Sequence, residues 1–334
     1  MRRARVKGEG DAFYHVMSRC ALQQFLLTDD VKEMFLKILR RAEFFSGVKI
    51  INYCVMDNHF HLLLKVPKRR EVPDDELLVR IRVLYGETKA KNILTRWEVL
   101  HKAGNDSLIQ RERDAFRKRM YDISEFMKTF KQRFSLWYCT NHGNIEGTIW
   151  QGPFHSVLVE GKHDALSAIS TYITLNPVRA KVVYDPGDYA WSGYGAACAG
   201  DVTAKRALLS TYQASGHVAE KWNAYVSMLE MAMAESGPLE EKTSEDNGKA
   251  KKNDEAARPV KDVRFGKITK SQLVIKVMHY KERDVSRGVA FGSRKFVDRA
   301  IKDASHEGEI RTVSKAYCIG EQKTQLYCAG RRRA

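Results

Sequence analysis

Residues 49–66 read KIINYCVMDNHFHLLLKV, and their pattern decides the fold. Residues 49–56 have the composition of a strand, Asp57-Asn58 that of a tight turn, and 59–66 that of a returning strand. In an extended chain, side chains two apart share a face. His59 and His61 therefore point together, while Phe60, Leu62 and Leu64 point to the opposite side. Two imidazoles side by side with an apolar backing suit a divalent metal, but they also suit an ordinary half-buried strand. Spacing alone leaves both readings open.

Working outward, residues 13–19 (FYHVMSR) alternate as a first strand. A helix follows over about 29–45, with Thr28 or Asp29 available as N-cap, an apolar stripe of Val31, Phe35, Ile38 and Leu39, and Gly47 to stop it. Beyond Pro67 the sequence turns charged and helix-prone to about residue 120, as expected of a helical insertion. Residues 123–138 (ISEFMKTFKQRFSLWY) predict an amphipathic helix with Phe126, Phe130, Phe134 and Trp137 along one side. Residues 156–160 suit a fourth strand, and 162–175 a helix closed by Asn176-Pro177. The order is βαββαβ followed by a helix: an α+β, ferredoxin-like sheet.

The chain has 334 residues, 43% of them hydrophobic, and a formal net charge of +16. That surplus attracts polyanions, nucleic acid above all, because neutralised phosphates release counterions. Six cysteines at 20, 54, 139, 198, 318 and 328 have no zinc-type pairing and are too sparse for a disulfide framework. No apolar run reaches the roughly 18 residues that span a bilayer. The first residues carry charge without an apolar stretch behind them. A cytoplasmic protein with no membrane partner is expected. Glycine-rich phosphate loops, Ser-His-Asp arrangements and carboxylate clusters are absent, so nucleotide hydrolysis, acyl transfer and two-metal cleavage have no support.

The segment YCVMDNHFHLLLKVP resembles the His-apolar-His segment of single-tyrosine transposases, most closely the REP-associated group. A second block, STYITLNPVRAKVVYDPGDYAWSGYG, is similar to that family's Tyr-Ile-x-x-Asn-Pro-Val-Arg-Ala signature and the Pro-x-x-Tyr-x-Trp-Ser stretch after it. The resemblance covers roughly residues 10–66 and 121–200. It implies that His59 and His61 hold Mg²⁺ or Mn²⁺, that Tyr172 is the nucleophile on the helix after the last strand, and that Asn176 is a third ligand. The i, i+4 spacing sets Tyr172 and Asn176 on one helix face; capping before Pro177 is the other role open to Asn176. Tyrosine suits the task. Its phosphate ester keeps the energy of the broken phosphodiester, so a 3′-hydroxyl reverses the cut.

The resemblance also implies a single-stranded or hairpin DNA partner. Lys131, Arg133, Arg179, Arg2 and Arg3 are candidate phosphate contacts, and Trp137, Tyr138 and Trp150 candidate stacking platforms. Its members include monomers and dimers, so a homodimer is among the expectations. One departure stands out: Pro153 occupies a position where relatives carry arginine. It favours an alternative reading, a DNA-binding regulator of the same fold with weakened cleavage. The domain plan is a catalytic unit over 1–200 with its insertion at about 67–120, a helical extension over 201–236, a flexible charged linker over 237–262 and a small basic accessory domain over 263–334.

Overall fold

A computed structural model of the chain describes residues 6–8, 10–143, 148–212, 214–235, 288–306, 317–318 and 326–329. Strand β1 (Ala12–Arg19) leads through a loop to α1 (Asp29–Ser46), then β2 (Lys49–Val55) and β3 (His59–Val66). Thr28 takes the N-cap position of α1, although its hydroxyl donates to the Asp30 carboxylate and accepts from no first-turn amide. Gly47 ends the helix in the left-handed region at φ 75°, and a Cβ there would lie 2.5 Å from the Tyr121 ring.

The insertion is helical, as its composition predicts: α2 (Asp74–Tyr85), α3 (Glu87–Lys102) and α4 (Asp106–Arg117). It encloses a small core of its own around Leu77, Ile81, Leu84, Trp97 and Ile109, and Phe45 of α1 joins that core. Arg80 fastens the two parts. It donates to the Phe44 and Phe45 carbonyls at the end of α1 and to the Glu76 carboxylate. Next come α5 (Ile123–His142), β4 (His155–Val159) and α6 (His163–Thr174). Asp122 caps α5 by accepting from Ser124 and Glu125 amides.

The strand order is β2-β3-β1-β4, with every neighbouring pair antiparallel. This α+β arrangement is the expected one. Helices α1 and α5 cover one face. There Phe35, Phe60, Phe130 and Phe134 are fully buried, with ring centroids 4.8 to 6.2 Å apart. Helix α6 covers the other face, packing Ala165, Ile169, Tyr172 and Ile173 against Leu63, Val157 and Val159. After α7 (Asn176–Arg179) and α8 (Gly193–Cys198), the extension folds as α9 (Val202–Leu209) and α10 (Val218–Glu235), with Tyr225 and Leu229 packed near Leu175.

In the C-terminal region the described residues are 288–306, 317–318 and 326–329. Its described strands continue the same sheet: β5 (Ala290–Gly292) runs parallel to β4, and β7 (Tyr327–Ala329) pairs with β5 and with β6 (Tyr317–Cys318). The edge of β4 would otherwise present unpaired backbone groups. Leu158 and Glu160 amides instead donate to the Val289 and Phe291 carbonyls. Between these strands, α11 (Arg294–His306) begins at Ser293, whose amide and hydroxyl both donate to Glu160. The expected linker 237–262 lies outside the described residues.

Candidate active site

The antiparallel register of β1 and β3 sets His61 opposite Met17 and His59 opposite Arg19. Alternation does the rest. Phe60, Leu62 and Leu64 enter the core under α1 and α5, and Leu63, two residues on from His61 and on its face, joins the core under α6. His15, Met17 and Arg19 share the parity of His59 and His61 across the ladder.

Three rings meet beneath α6. His61 and Tyr172 are 0% exposed and His15 is 1% exposed. His15 Nε2 lies 2.9 Å from His61 Nδ1, with the two rings 18° from parallel. The Tyr172 ring stands edge-on to both, 5.6 Å from His61 and 5.8 Å from His15 between centroids. The Arg179 guanidinium sits 4.9 Å from the centre of the Tyr172 ring. His59 lies at the rim, its ring 5.2 Å from that of His61 and its Nδ1 2.6 Å from Asn58 Oδ1.

Electrostatics keep His61 neutral. Burial pushes its pKa well below the ordinary histidine value, and the neighbouring His15, His59, Arg19 and Arg179 push it the same way. Its Nε2 is buried and makes no hydrogen bond among the described residues. A buried nitrogen with a lone pair and no partner is costly unless something else supplies a positive centre. Asn58 beside His59 Nδ1 likewise makes Nε2 the lone-pair nitrogen of that ring when Nδ1 carries the proton. An oriented pair of imidazoles with lone pairs to offer fits a divalent cation. Among the described residues, no group of three or more His, Cys, Asp or Glu is arranged to hold a metal.

Helix α6 is held in rotation by buried polar bonds. Asn52, at an irregularity in the β2 ladder, donates from Nδ2 to the Ser170 carbonyl, the Ser170 hydroxyl and the Thr174 hydroxyl, each at 3.0 Å. Its Oδ1 accepts from the Tyr53 amide. Gly193 lets α8 come this close, since a Cβ there would lie 2.6 Å from Asn52 Oδ1. The segment 189–192 then braces the β2 end of the site. Tyr189 donates its hydroxyl to the Val55 carbonyl, and Val55 donates its amide to Trp191.

The remaining candidates fall in different places. Asn176 is buried and opens α7; α6 ends at Thr174, so Tyr172 and Asn176 stand on two helical segments joined at Leu175. Lys131 and Arg133 lie on α5, which covers the opposite face. Lys131 donates to the Ser18 hydroxyl and the Gly152 carbonyl, and Arg133 stacks on Tyr85 of the insertion. Trp150 is buried with its indole bonded to Ser135, and Tyr138 is buried beside it. Arg2 and Arg3 lie outside the described residues. Pro153 is exposed, next to the carbonyl that Lys131 holds. Among the described residues, no helix is long and apolar enough to cross a membrane.

Two further residues join the site: His15, which the sequence places on a strand within reach of the sheet face with a structural role expected, and Arg19, which it does not single out. The signal was present in HVMSR, whose alternation repeats the His-x-His parity on the neighbouring strand.

Residues 10–75 match the family model for IS200-like transposases, which supports the resemblance and a transposase role. The matched residues contain His15, Arg19, His59 and His61; Tyr172 and Asn176 lie beyond them. A solved REP-associated tyrosine transposase bound to a REP hairpin is 16% identical, over 65% of this chain and 92% of that one, with a TM-score of 0.35. A candidate transposase of Deinococcus radiodurans R1 is 15% identical, over 55% of this chain and 92% of that one, with a TM-score of 0.24. At these scores neither likeness bears on the site. Comparison with curated proteins gives no match.

Proposed function

We propose that the chain is a transposase-type endonuclease and strand transferase acting on single-stranded or hairpin DNA, with Tyr172 as its nucleophile. The observation that carries this reading is the buried cluster of His15, His61 and Tyr172, in which His61 Nε2 makes no hydrogen bond among the described residues. His59 and His61, with Asn176 as third donor, would hold Mg²⁺ or Mn²⁺. Bound there, the ion would polarise a non-bridging oxygen of the scissile phosphate.

The chain's own groups do the rest. Arg19 and Arg179 supply fixed positive charge beside the site, favouring a phosphate and the charge that builds on it during displacement. Tyr172 Oη gives up its proton and attacks phosphorus. The Oη–P bond forms as the P–O3′ bond breaks, and the departing 3′ oxygen takes up a proton. The product is a 5′-phosphotyrosine ester, which a 3′-hydroxyl attacks in reverse to join a strand. Tyr172 is fully buried, with the Arg179 guanidinium against its ring, so a DNA phosphate reaches its hydroxyl only after a local rearrangement.

Exposed Pro153 and buried Tyr172 favour one alternative, a DNA-binding regulator that does not cut. Incubating the full chain with labelled hairpin DNA, in Mn²⁺ and in EDTA, separates the two. A covalent protein–DNA band present only with Mn²⁺ is the expected result. Tight binding without an adduct under any metal selects the regulator, and Pro153→Arg is then the variant to assay for restored cleavage.

A further inference from the structure

We propose that His15 is a positioning residue that fixes the tautomer and ring orientation of His61, so that His61 offers Nε2 as the metal-binding nitrogen. This rests on the metal-assisted reading above and assigns it a residue on β1 that no ligand motif includes.

The geometry leaves two states. His15 Nε2 and His61 Nδ1 are 2.9 Å apart, so one nitrogen carries the shared proton and the other accepts it. If His61 accepted at Nδ1, its own proton would sit on Nε2. That N–H would be buried with no acceptor among the described residues. If His61 donates from Nδ1, Nε2 holds a lone pair, and a cation answers it. Metal-binding histidines commonly donate their second ring N–H to a neighbouring acceptor, which fixes tautomer and ring together. Carboxylates and carbonyls usually serve as that acceptor; here a neutral imidazole takes the place.

Packing makes the arrangement specific. His15 lies two residues from Met17, the direct cross-strand partner of His61, so the contact is the diagonal one that a long ring can span. At 1% exposure His15 has little room to choose another rotamer, and its other flank meets the Tyr172 ring. One side chain thus sets the angle of a ligand and borders the nucleophile.

The test compares Mn²⁺ affinity of the metal-free full chain by titration calorimetry for wild type, His15→Leu, His15→Gln and His61→Ala, with thermal melts of each. Glutamine can place Oε1 where His15 Nε2 accepts; leucine fills the space without an acceptor. His15→Leu should weaken Mn²⁺ binding about 10–100-fold, and His15→Gln should recover most of it. A leucine variant that melts like wild type and binds Mn²⁺ equally well would overturn the proposal. Should His15→Leu fail to fold, nitrogen-15 spectra of histidine-labelled wild type read the tautomer directly. A proton on His61 Nδ1 supports the inference, and one on Nε2 refutes it. Wild type that binds no Mn²⁺, or His61→Ala that binds it unchanged, would instead bring down the metal reading itself.

Discussion

On one face of the sheet Phe35, Phe60, Phe130 and Phe134 close ring on ring; on the other, His15, His61, Asn52 and Tyr172 are as deeply buried. The same strands supply both faces, one residue apart. Phe60 and His61 differ in position by a single peptide and in role completely. The aromatic face gains from area removed from water and from edge-to-face ring contacts. The polar face pays desolvation for each nitrogen and hydroxyl it buries, and recovers it only through specific partners. His61 Nε2 is buried with no hydrogen bond among the described residues, and the proposed function places the metal there. Under the proposed function, stability and chemistry are divided between the two sides of one sheet.

Substituting the two neighbours separately is the largest test of that division. Phe60→Ala should cost about 3–5 kcal/mol and lower the melting temperature markedly, while the protein that remains folded still binds Mn²⁺. His61→Ala should abolish Mn²⁺ binding and cost less stability than Phe60→Ala, because the unpartnered nitrogen already offsets part of what burial of the ring contributes. Calorimetric melts and Mn²⁺ titrations of both variants check this. Equal losses of stability and binding at both positions would erase the comparison.

Asn52 sharpens it, since its amide belongs to the polar face and yet has a structural task. Asn52→Ala removes three bonds to α6 and leaves Ser170 and Thr174 to find other partners. A loss of about 1–3 kcal/mol is expected, with a slower rate of adduct formation because Tyr172 rides on that helix. Denaturant melts and single-turnover adduct assays measure the two effects.

The smallest effect belongs to the insertion, away from both faces. Hydrogen bonds from Arg70, and then Arg80, hold the Glu76 carboxyl down from the ordinary 4.5 to about 2. A carboxylate with a lowered folded-state pKa contributes stability that is complete above pH 4.5 and is lost as pH falls toward 2. At this partly solvated position the contribution is on the order of 1 kcal/mol. Fluorescence of Trp97, buried in the insertion, should report loosening in that window, and Glu76→Gln should remove the pH dependence without touching Mn²⁺ binding.

Much of this was legible in the sequence because it rests on periodicity. Residues 59–66 alternate cleanly, and the α5 aromatics recur at helical spacing, so the strand, the helix and the facing of both histidines follow from local rules. What was not legible depends on partners distant in the chain. Strands β5 and β7 are three residues each, too short to display alternation; β5 pairs with the edge of β4, and β7 with β5. Lys131 has the type and place of a phosphate contact, yet Ser18 and Gly152, both remote in sequence, claim its ammonium group. The Tyr172–Asn176 spacing predicts one shared helix face, whereas α6 ends at Thr174 and Asn176 opens α7. His15 needed the β1–β3 register before its contact with His61 could be seen.

The most direct test of the account is mass spectrometry of the peptide covering residues 163–179 after full-length protein meets single-stranded hairpin DNA and Mn²⁺. The account predicts a nucleotide adduct on Tyr172 in the wild type and none in Tyr172→Phe, which should fold and bind the DNA normally. An adduct on another residue, or one that persists in Tyr172→Phe, would contradict it.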